Sequence, residues 1–576
     1  MKKFISTASA VTALCAAVFS VTAFAWQGEE DYNKRLEFVS ANELEVYVEG
    51  SSGNAPYYGA RLEPRTGIYF GTLADHADMF DGDFSTCLTY VEFDSMQADL
   101  YYPANDMVRN NNINAVIGWN VSSADTIRNI DAYTDYIEQT VKTFSEYGKN
   151  MYIRFGAEMN NIDLGTGEEF CYAFRKVADV VHKYDNLAMV WSPLDMGSLD
   201  RPFADFYPGD EYVDWIGINS YQIKYFLFDK DASETNKVLW MTGNYAWHTN
   251  SLKPLLSFMS ENNINKPVMI SEGGVANENN YGEDTSDWAA PRLRNMYWDI
   301  AMQYPQVKMI NYFNTQMSWD NEFFSLDGHD DLISIIREAV ASGAFISRDS
   351  GNDFTFTPPY YAGMLIGTEI PVYAHAYAKD AESIRVDYYI DGVFYDSTAA
   401  SPHKTVIKSD AISDGTHTLS VYSYNGDTQL NSKELKFDKL GAFILFGENA
   451  AIVSDKSINV SLNENQIQFD VEPCVVADRT LVPIRAFLNA LGIDDSDIEY
   501  DGTGNTVTIK YGGDTIKLYI NNPTAYVNGV STEIDVPPCV IDGRTLVPLR
   551  FISESFNCDV SYSDSGSALD VFLTEK

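Results

Sequence analysis

The chain has 576 residues, 45% hydrophobic and 21% charged, enough for ~3–4 domains of globular core and unlike a disordered polymer. Its 82 acidic residues against 40 basic ones leave a net charge of −42, which argues against a nucleic-acid partner, because phosphate binding needs concentrated Lys and Arg. All nine tryptophans fall between Trp26 and Trp319, so the two halves of the chain differ in composition and in the work they can do.

In chain order, Lys2 and Lys3, the apolar run Ala8 to Phe19, and Ala23-Phe24-Ala25 read as an export signal over residues 1–25, removed before Trp26. No later apolar run is long enough to span a bilayer, so the expectation is a secreted chain without a membrane span. Cys87, Cys171, Cys474, Cys539 and Cys558 remain after the signal. Their odd number and the absence of any Cys-x-x-Cys favour buried free thiols over a disulfide framework or zinc ribbon.

From Ile68 to about Ala341 a strand-then-helix pattern repeats. The expected strands are Ile68–Thr72, Cys87–Phe93, Ala115–Trp119, Met151–Phe155, Leu187–Trp191, Trp215–Asn219, Pro267–Ser271 and Lys308–Phe313. Ile127, Ile130, Ile137, Val141 and Phe144 recur at helical spacing between two of them, as do Phe170, Phe174, Val177, Val181 and Tyr184. Eight such units predict a (β/α)8 TIM barrel, assigned to residues 26–348. Trp191 and Trp215 lie inside strands and are expected in the core. Asp327-Gly328-His329-Asp330-Asp331 opens a helical stretch, where capping and dipole complementarity fit better than metal binding. No metal or cofactor is expected.

Residues 352–438 show strands without intervening helices. Ser383 to Ile390 alternates, Asp391-Gly392 is a hairpin turn, and Ser413 to Tyr422 follows as a further strand, so a small β-sandwich is predicted. Residues 441–576 contain a repeat: Pro473 to Arg485 aligns with Pro538 to Arg550, with Cys474 falling on Cys539, 65 positions apart. Each copy carries a short helix and a strand pair, predicting two small α+β repeats in a multidomain chain.

Chemistry is sought where barrels place it, at the C-terminal ends of strands. Glu158 follows the fourth expected strand and Glu272 the seventh, on opposite sides of the mouth. Glycosidic cleavage needs two such carboxyl groups, one to protonate the leaving oxygen and one to meet the anomeric carbon.

Arg154-Phe-Gly-Ala-Glu-Met-Asn160, Met189-Val-Trp-Ser-Pro193, Tyr207-Pro-Gly-Asp-Glu-Tyr-Val-Asp-Trp-Ile-Gly217 and Asn311-Tyr-Phe-Asn314 resemble glycoside hydrolase family 26, chiefly β-mannanases with some β-glucanases and xylanases. The resemblance spans roughly residues 60–345. It implies Glu158 as acid/base and Glu272 as nucleophile of a retaining double displacement. It further implies Tyr221 bonded to Glu272, Trp119 and Trp319 stacked on sugar rings, and Asn160 and Arg154 orienting groups around the acid. The family usually carries His before the acid, where this chain has Ala157. The SDGTHTL segment resembles bacterial immunoglobulin-like modules, which imply a spacer. The 65-residue repeat resembles tandem copper-amine-oxidase N-terminal-like modules, and no histidine after His417 could serve copper there.

The expected function is thus a secreted retaining endo-glycosidase acting on a β-linked polysaccharide, β-mannan first. The alternative is a non-catalytic carbohydrate-binding or cell-wall-associated protein on a degenerate barrel. A further expectation gives the C-terminal repeats a cell-wall glycan partner.

Overall fold

The computed structural model describes residues 41–575 apart from 49–55, 65–66, 77–79, 81–83, 112, 161, 195–200, 224–246, 279–281, 318–321, 347–363, 367–368, 380, 382, 441–442, 447–456, 477–478, 502–505, 521–523, 535 and 542. The expected signal, residues 1–25, lies outside them. Among the described residues, no helix is long and apolar enough to cross a membrane.

The first strand, β1, is Glu43–Val48. The next eight are β2 (Ile68–Leu73), β3 (Thr86–Glu92), β4 (Asn114–Asn120), β5 (Met151–Phe155), β6 (Leu187–Trp191), β7 (Trp215–Gln222), β8 (Val268–Val275) and β9 (Val307–Tyr312). Strands β2 to β9 pair in parallel in chain order, and β2 closes onto β9 from Tyr69↔Met309 to Thr72↔Tyr312. This is the predicted TIM-like barrel. Strands β5 and β6 occupy the expected residues, while β7 and β8 run past their expected ends at Asn219 and Ser271.

Helices Thr134–Glu146, Gly167–Val181, His248–Glu261, Ser286–Arg294 and Asp330–Ala339 cover the outside. Gly167–Val181 is started by a capping box, in which the Thr166 hydroxyl accepts from Glu169 N and the Glu169 carboxylate accepts from Thr166 N. Within the described residues the strand–helix alternation is less complete than predicted. Among the described residues, only 3₁₀ turns follow β2 (Ala74–His76) and β6 (Phe203–Phe206). Pro202 precedes the second of these turns, and Pro208 and Gly209 follow it, which keeps it from extending into a helix. Asp330 and Asp331 do occupy the first turn of their helix, but His329 at its N-cap makes no capping bond there; its ring meets Ser286 Oγ at 3.1 Å.

The period-two alternation of the strands sorts two cores. Ala115, Ile117 and Trp119 of β4, and Met151, Ile153 and Phe155 of β5, face out under the helices. Val116, Tyr152, Val190, Trp215 and Met269 fill the barrel interior. Residues 56–64 run near its base, where Trp215 Nε1 donates to Arg61 O and Tyr152 Oη to Leu62 O. All five cysteines after the expected signal are free, and Cys474 alone is not fully buried.

Downstream the fold is β-rich. Strands Glu369–Tyr377 and Thr405–Lys408 form one sheet, and Met364–Ile366, Arg385–Ile390, Val393–Thr398, Gly415–Asn425, Thr428–Leu440 and Phe443–Phe446 form a second. Both contribute to a single apolar core. The Asp391-Gly392 turn has φ of 50° and 76°, as a two-residue hairpin of this kind requires. Strand β1 belongs to the stretch that the sequence groups with the barrel, yet it pairs antiparallel with Glu369–Tyr377, from Glu43↔Tyr377 to Val48↔Val372. Leu44, Val46 and Val48 bury their side chains in the sandwich core.

The two C-terminal repeats share one core and meet across strands Arg479–Pro483 and Arg544–Pro548. Val482 pairs with Val547, while Leu481 pairs with Pro548 and Pro483 with Leu546. Residues 65 apart are therefore exchanged about a pseudo-two-fold axis at Val482/Val547.

A polar cluster joins barrel to sandwich. His375 Nδ1 lies 3.0 Å from Asp299 Oδ2, and its Nε2 lies 3.5 Å from Glu43 Oε2, an ion-pair distance without hydrogen-bond geometry. Lys253 pairs with Glu43, and Ser401 Oγ donates to Asp299. Burial alone would lower His375, but Asp299 and Glu43 carry it from an ordinary 6.5 up to about 9. A histidine raised on folding contributes stability fully below pH 6.5 and loses it as pH climbs through about 9. The melting-temperature gap between wild type and His375→Gln should be widest near pH ~6 and shrink steadily toward pH ~9.5. A gap that does not change with pH would show that His375 is uncharged in the folded chain.

Candidate active site

Strand β5 carries Arg154 into the barrel interior on the same face as Tyr152. Beyond Phe155 the chain reverses through two left-handed residues, Gly156 at φ 56° and Glu158 at φ 59°. Positive φ is uncommon for a residue with a side chain and persists where its surroundings enforce it. Glu158 N donates to Ser192 O at 2.8 Å, tying the turn to the end of β6. The Glu158 carboxyl group is thereby directed back over the barrel mouth.

Glu272 reaches the same place by a different device. Met269 and Ser271 of β8 face inward, so simple alternation would turn Glu272 out toward the helices. The β7–β8 register instead slips, with Ile218 opposite Ile270 and Asn219 opposite Glu272. This bulge adds one residue to β8 and re-aims the glutamate into the mouth. Gly217 of β7 leaves room for it, because a Cβ there would collide with Ser271 Oγ and Ser192 Oγ.

The two glutamates are connected through hydrogen bonds. Arg154 Nη1 donates to Glu272 Oε1 at 2.6 Å, and Nη2 donates to Asn219 Oδ1 at 2.8 Å. Asn219 Nδ2 then donates to Glu158 Oε1 at 2.6 Å. Tyr221 Oη donates to Glu272 Oε2 at 2.6 Å. Burial and the neighbouring Glu272 push the Tyr221 phenol well above its ordinary range, so it remains a proton donor. Burial would pull the Arg154 guanidinium down, but Glu272 beside it carries it above its usual value. Both glutamates keep only a small exposed edge at the mouth. At the ends of β3 and β4, Asn120 Nδ2 approaches Glu92 Oε1 at 3.4 Å, and burial raises the Glu92 carboxyl group.

Of the expected site residues, Glu158, Glu272, Tyr221 and Arg154 come together. Arg154 is bonded to Glu272 and reaches Glu158 only through Asn219. Asn160 does not face the mouth; its amide closes a two-bond ring with Leu194 N and O, both at 2.9 Å, and braces the segment after β6. Trp119 is no sugar platform. Alternation puts it on the outer face of β4 with 0% exposure, packed by Phe93, Tyr136, Phe144 and Phe155, and its Nε1 donates to Tyr136 Oη. Trp319 lies outside the described residues. Sequence reasoning missed Asn219, Ser192 and Glu92. Glu92 ends β3, Ser192 follows β6 and Asn219 stands at the expected end of β7, and that position was the available signal. Among the described residues, no group of three or more His, Cys, Asp or Glu is placed to hold a metal ion.

The span that carries both glutamates has a known relative. Residues 158–287 match the family model for glycosyl hydrolase family 26. The family-26 match supports a glycoside hydrolase. Residues 461–570 match a second family model, the copper amine oxidase N-terminal domain. Endoglucanase H of Acetivibrio thermocellus is 22% identical over 271 residues, which are 45% of this chain and 27% of that protein. The chain therefore spans about a quarter of that curated relative's length. Among solved structures, a Cellulomonas fimi endo-β-1,4-mannanase double mutant is 14% identical with a TM-score of 0.37, over 64% of this chain and 94% of that one. A family-26 β-mannanase from Bacteroides ovatus is 12% identical with a TM-score of 0.36, over 52% and 94%. At these scores the structural likenesses carry no argument.

The Arg154–Glu272 pair gives a test independent of activity. Arg154→Met should cost about 3–5 kcal/mol by leaving a buried carboxylate unpaired. Adding Glu272→Gln should recover much of that loss in denaturant melts. Strict additivity of the two changes would show that the residues are not coupled.

Proposed function

We propose that the chain is a secreted retaining endo-glycosidase hydrolysing a β-linked polysaccharide, with β-mannan the first substrate. The observation that carries this reading is the meeting of Glu158 and Glu272 at the barrel mouth, with Tyr221 and Arg154 on the two oxygens of Glu272. Glu158 protonates the glycosidic oxygen as the C–O bond breaks, and Glu272 attacks the anomeric carbon to form a glycosyl-enzyme. Glu158, now ionised, takes a proton from water as that water displaces Glu272, restoring both groups. Asn219 donates to one glutamate and accepts from the arginine of the other, so it positions the acid against the nucleophile. Endoglucanase H, by its name, adds a glucan to the substrates worth testing. The segment 1–25 supports export, and the C-terminal repeats are proposed to retain the enzyme on cell-wall glycan.

A second reading, binding without hydrolysis, is favoured by Ala157 where the family usually carries His. Reducing-sugar release on mannan, mixed-linkage glucan and xylan separates the two. Glu158→Ala should lower turnover by about 10²–10⁴-fold and Glu272→Ala should abolish it, with unchanged circular dichroism. Proton NMR of early product should show the β-anomer first. An α-anomer formed first would overturn the double displacement, and glycan retention with no sugar release would favour the binding reading.

A further inference from the structure

The C-terminal module supplies none of the residues placed in the hydrolysis proposed above, and it holds a cleft of 440 Å³. That volume is within the range of small-ligand sites, roughly 300–1,000 Å³. Both repeats line it: Arg479 and Thr480 come from the first, and Arg550, Val560, Tyr562 and Asp564 from the second.

The pseudo-two-fold supplies an internal comparison. Arg485 is the repeat counterpart of Arg550, and Arg544 that of Arg479. Arg485 Nε lies 3.5 Å from Asp495 Oδ1, and Arg544 Nε lies 2.6 Å from Asp470 Oδ2. Arg550 has no carboxylate partner among the described residues. The position 65 beyond Asp495 is Val560, an apolar wall of the cleft. Repeat symmetry alone would give two equivalent arginine pairs. The exchange of Asp495 for Val560 thus leaves Arg550, on the rim of the cleft, without the carboxylate that its counterpart Arg485 has. On the same cleft wall, Tyr562 is 65% exposed, so its ring face is accessible to a ligand.

These groups define a ligand. A planar guanidinium recognises a carboxylate through two parallel hydrogen bonds. A phenol ring offers a flat face to the C–H face of a pyranose, and Thr480 and Asp564 can exchange hydrogen bonds with hydroxyl groups. A carboxylate on a sugar ring uses all of them, whereas an acidic peptide uses Arg550 and leaves Tyr562 without a flat partner. We propose that this cleft binds a carboxylate-bearing sugar residue of an acidic polysaccharide, paired with Arg550 and stacked on Tyr562. The inference deepens, and rests on, the retention role proposed for the C-terminal repeats.

The test is titration calorimetry of the full-length chain with oligogalacturonate and with the same oligomer fully methyl-esterified, at about 0.15 M salt, where the repulsion from the acidic chain is screened beyond ~8 Å. The acid form should bind and the ester should not. Arg550→Gln and Tyr562→Ala should each weaken binding about tenfold or more, while Arg485→Gln, outside the cleft, should leave it unchanged. Equal binding of the ester, wild-type binding by Arg550→Gln, equal binding of poly-glutamate, or no binding of the acid form would each overturn the proposal. Fractionation of secreting cells separates the two claims. Cell retention that survives Arg550→Gln leaves the retention role standing without this cleft. Acid-form binding by a chain that does not remain with cells leaves the cleft standing without retention.

Discussion

A guanidinium with no exposure to water is the constraint around which the barrel mouth is arranged. Arg154 cannot shed its charge, so a place inside the barrel is tolerable only if acceptors surround it. Glu272, Asn219 and Ser192 provide them. Each acceptor must then be brought to a fixed point from a different strand. The extra residue in β8, the absent side chain at Gly217 and the bridge of Leu194 to Asn219 all serve that requirement. Two glutamates distant in sequence thereby share one rigid frame of hydrogen bonds, as a reaction with two carboxyl groups in fixed roles requires.

Much of this was legible in the sequence, for identifiable reasons. Short β-branched and aromatic runs between amphipathic helices located every barrel strand, because buried parallel strands have few alternatives in composition. The glutamates after the expected fourth and seventh barrel strands were named from position together with the family-26 resemblance. Side-chain direction was harder. Trp119 is one residue away from pointing inward, and an aromatic at a strand end carries no mark of its parity. Glu272 shows the reverse error of the same rule, since strict alternation would have turned it away from the site. A bulge leaves no composition signal, and Asn219 looks like any polar residue at the end of a hydrophobic strand.

The tryptophan boundary gains a physical meaning. Trp119 and Trp191 pack between strands and helices, and Trp215 fills the barrel base. Trp247 and Trp288 flank the Arg292 guanidinium at 5.1 and 3.9 Å. Large rings suit a layered barrel with two concentric cores to fill, whereas the thinner β-rich units are filled by Val, Ile, Leu and Phe. The 65-residue repeat was equally plain in sequence, but its consequence was not. Only the antiparallel crossing at Val482/Val547 shows that the copies are halves of one body rather than beads on a string.

Strand β1 changes what the later sandwich is to the barrel. The chain leaves the sandwich after Val48, builds the barrel, and returns to the sandwich at Met364. The barrel is therefore an insertion held at both ends, more like a bead clamped on a closed loop than a ball on a leash. A single linker would let one body swing freely about the other; two crossings restrict their relative rotation to what both can follow together. Cutting the chain once between the two would leave them joined through the other crossing and through the sheet that β1 completes.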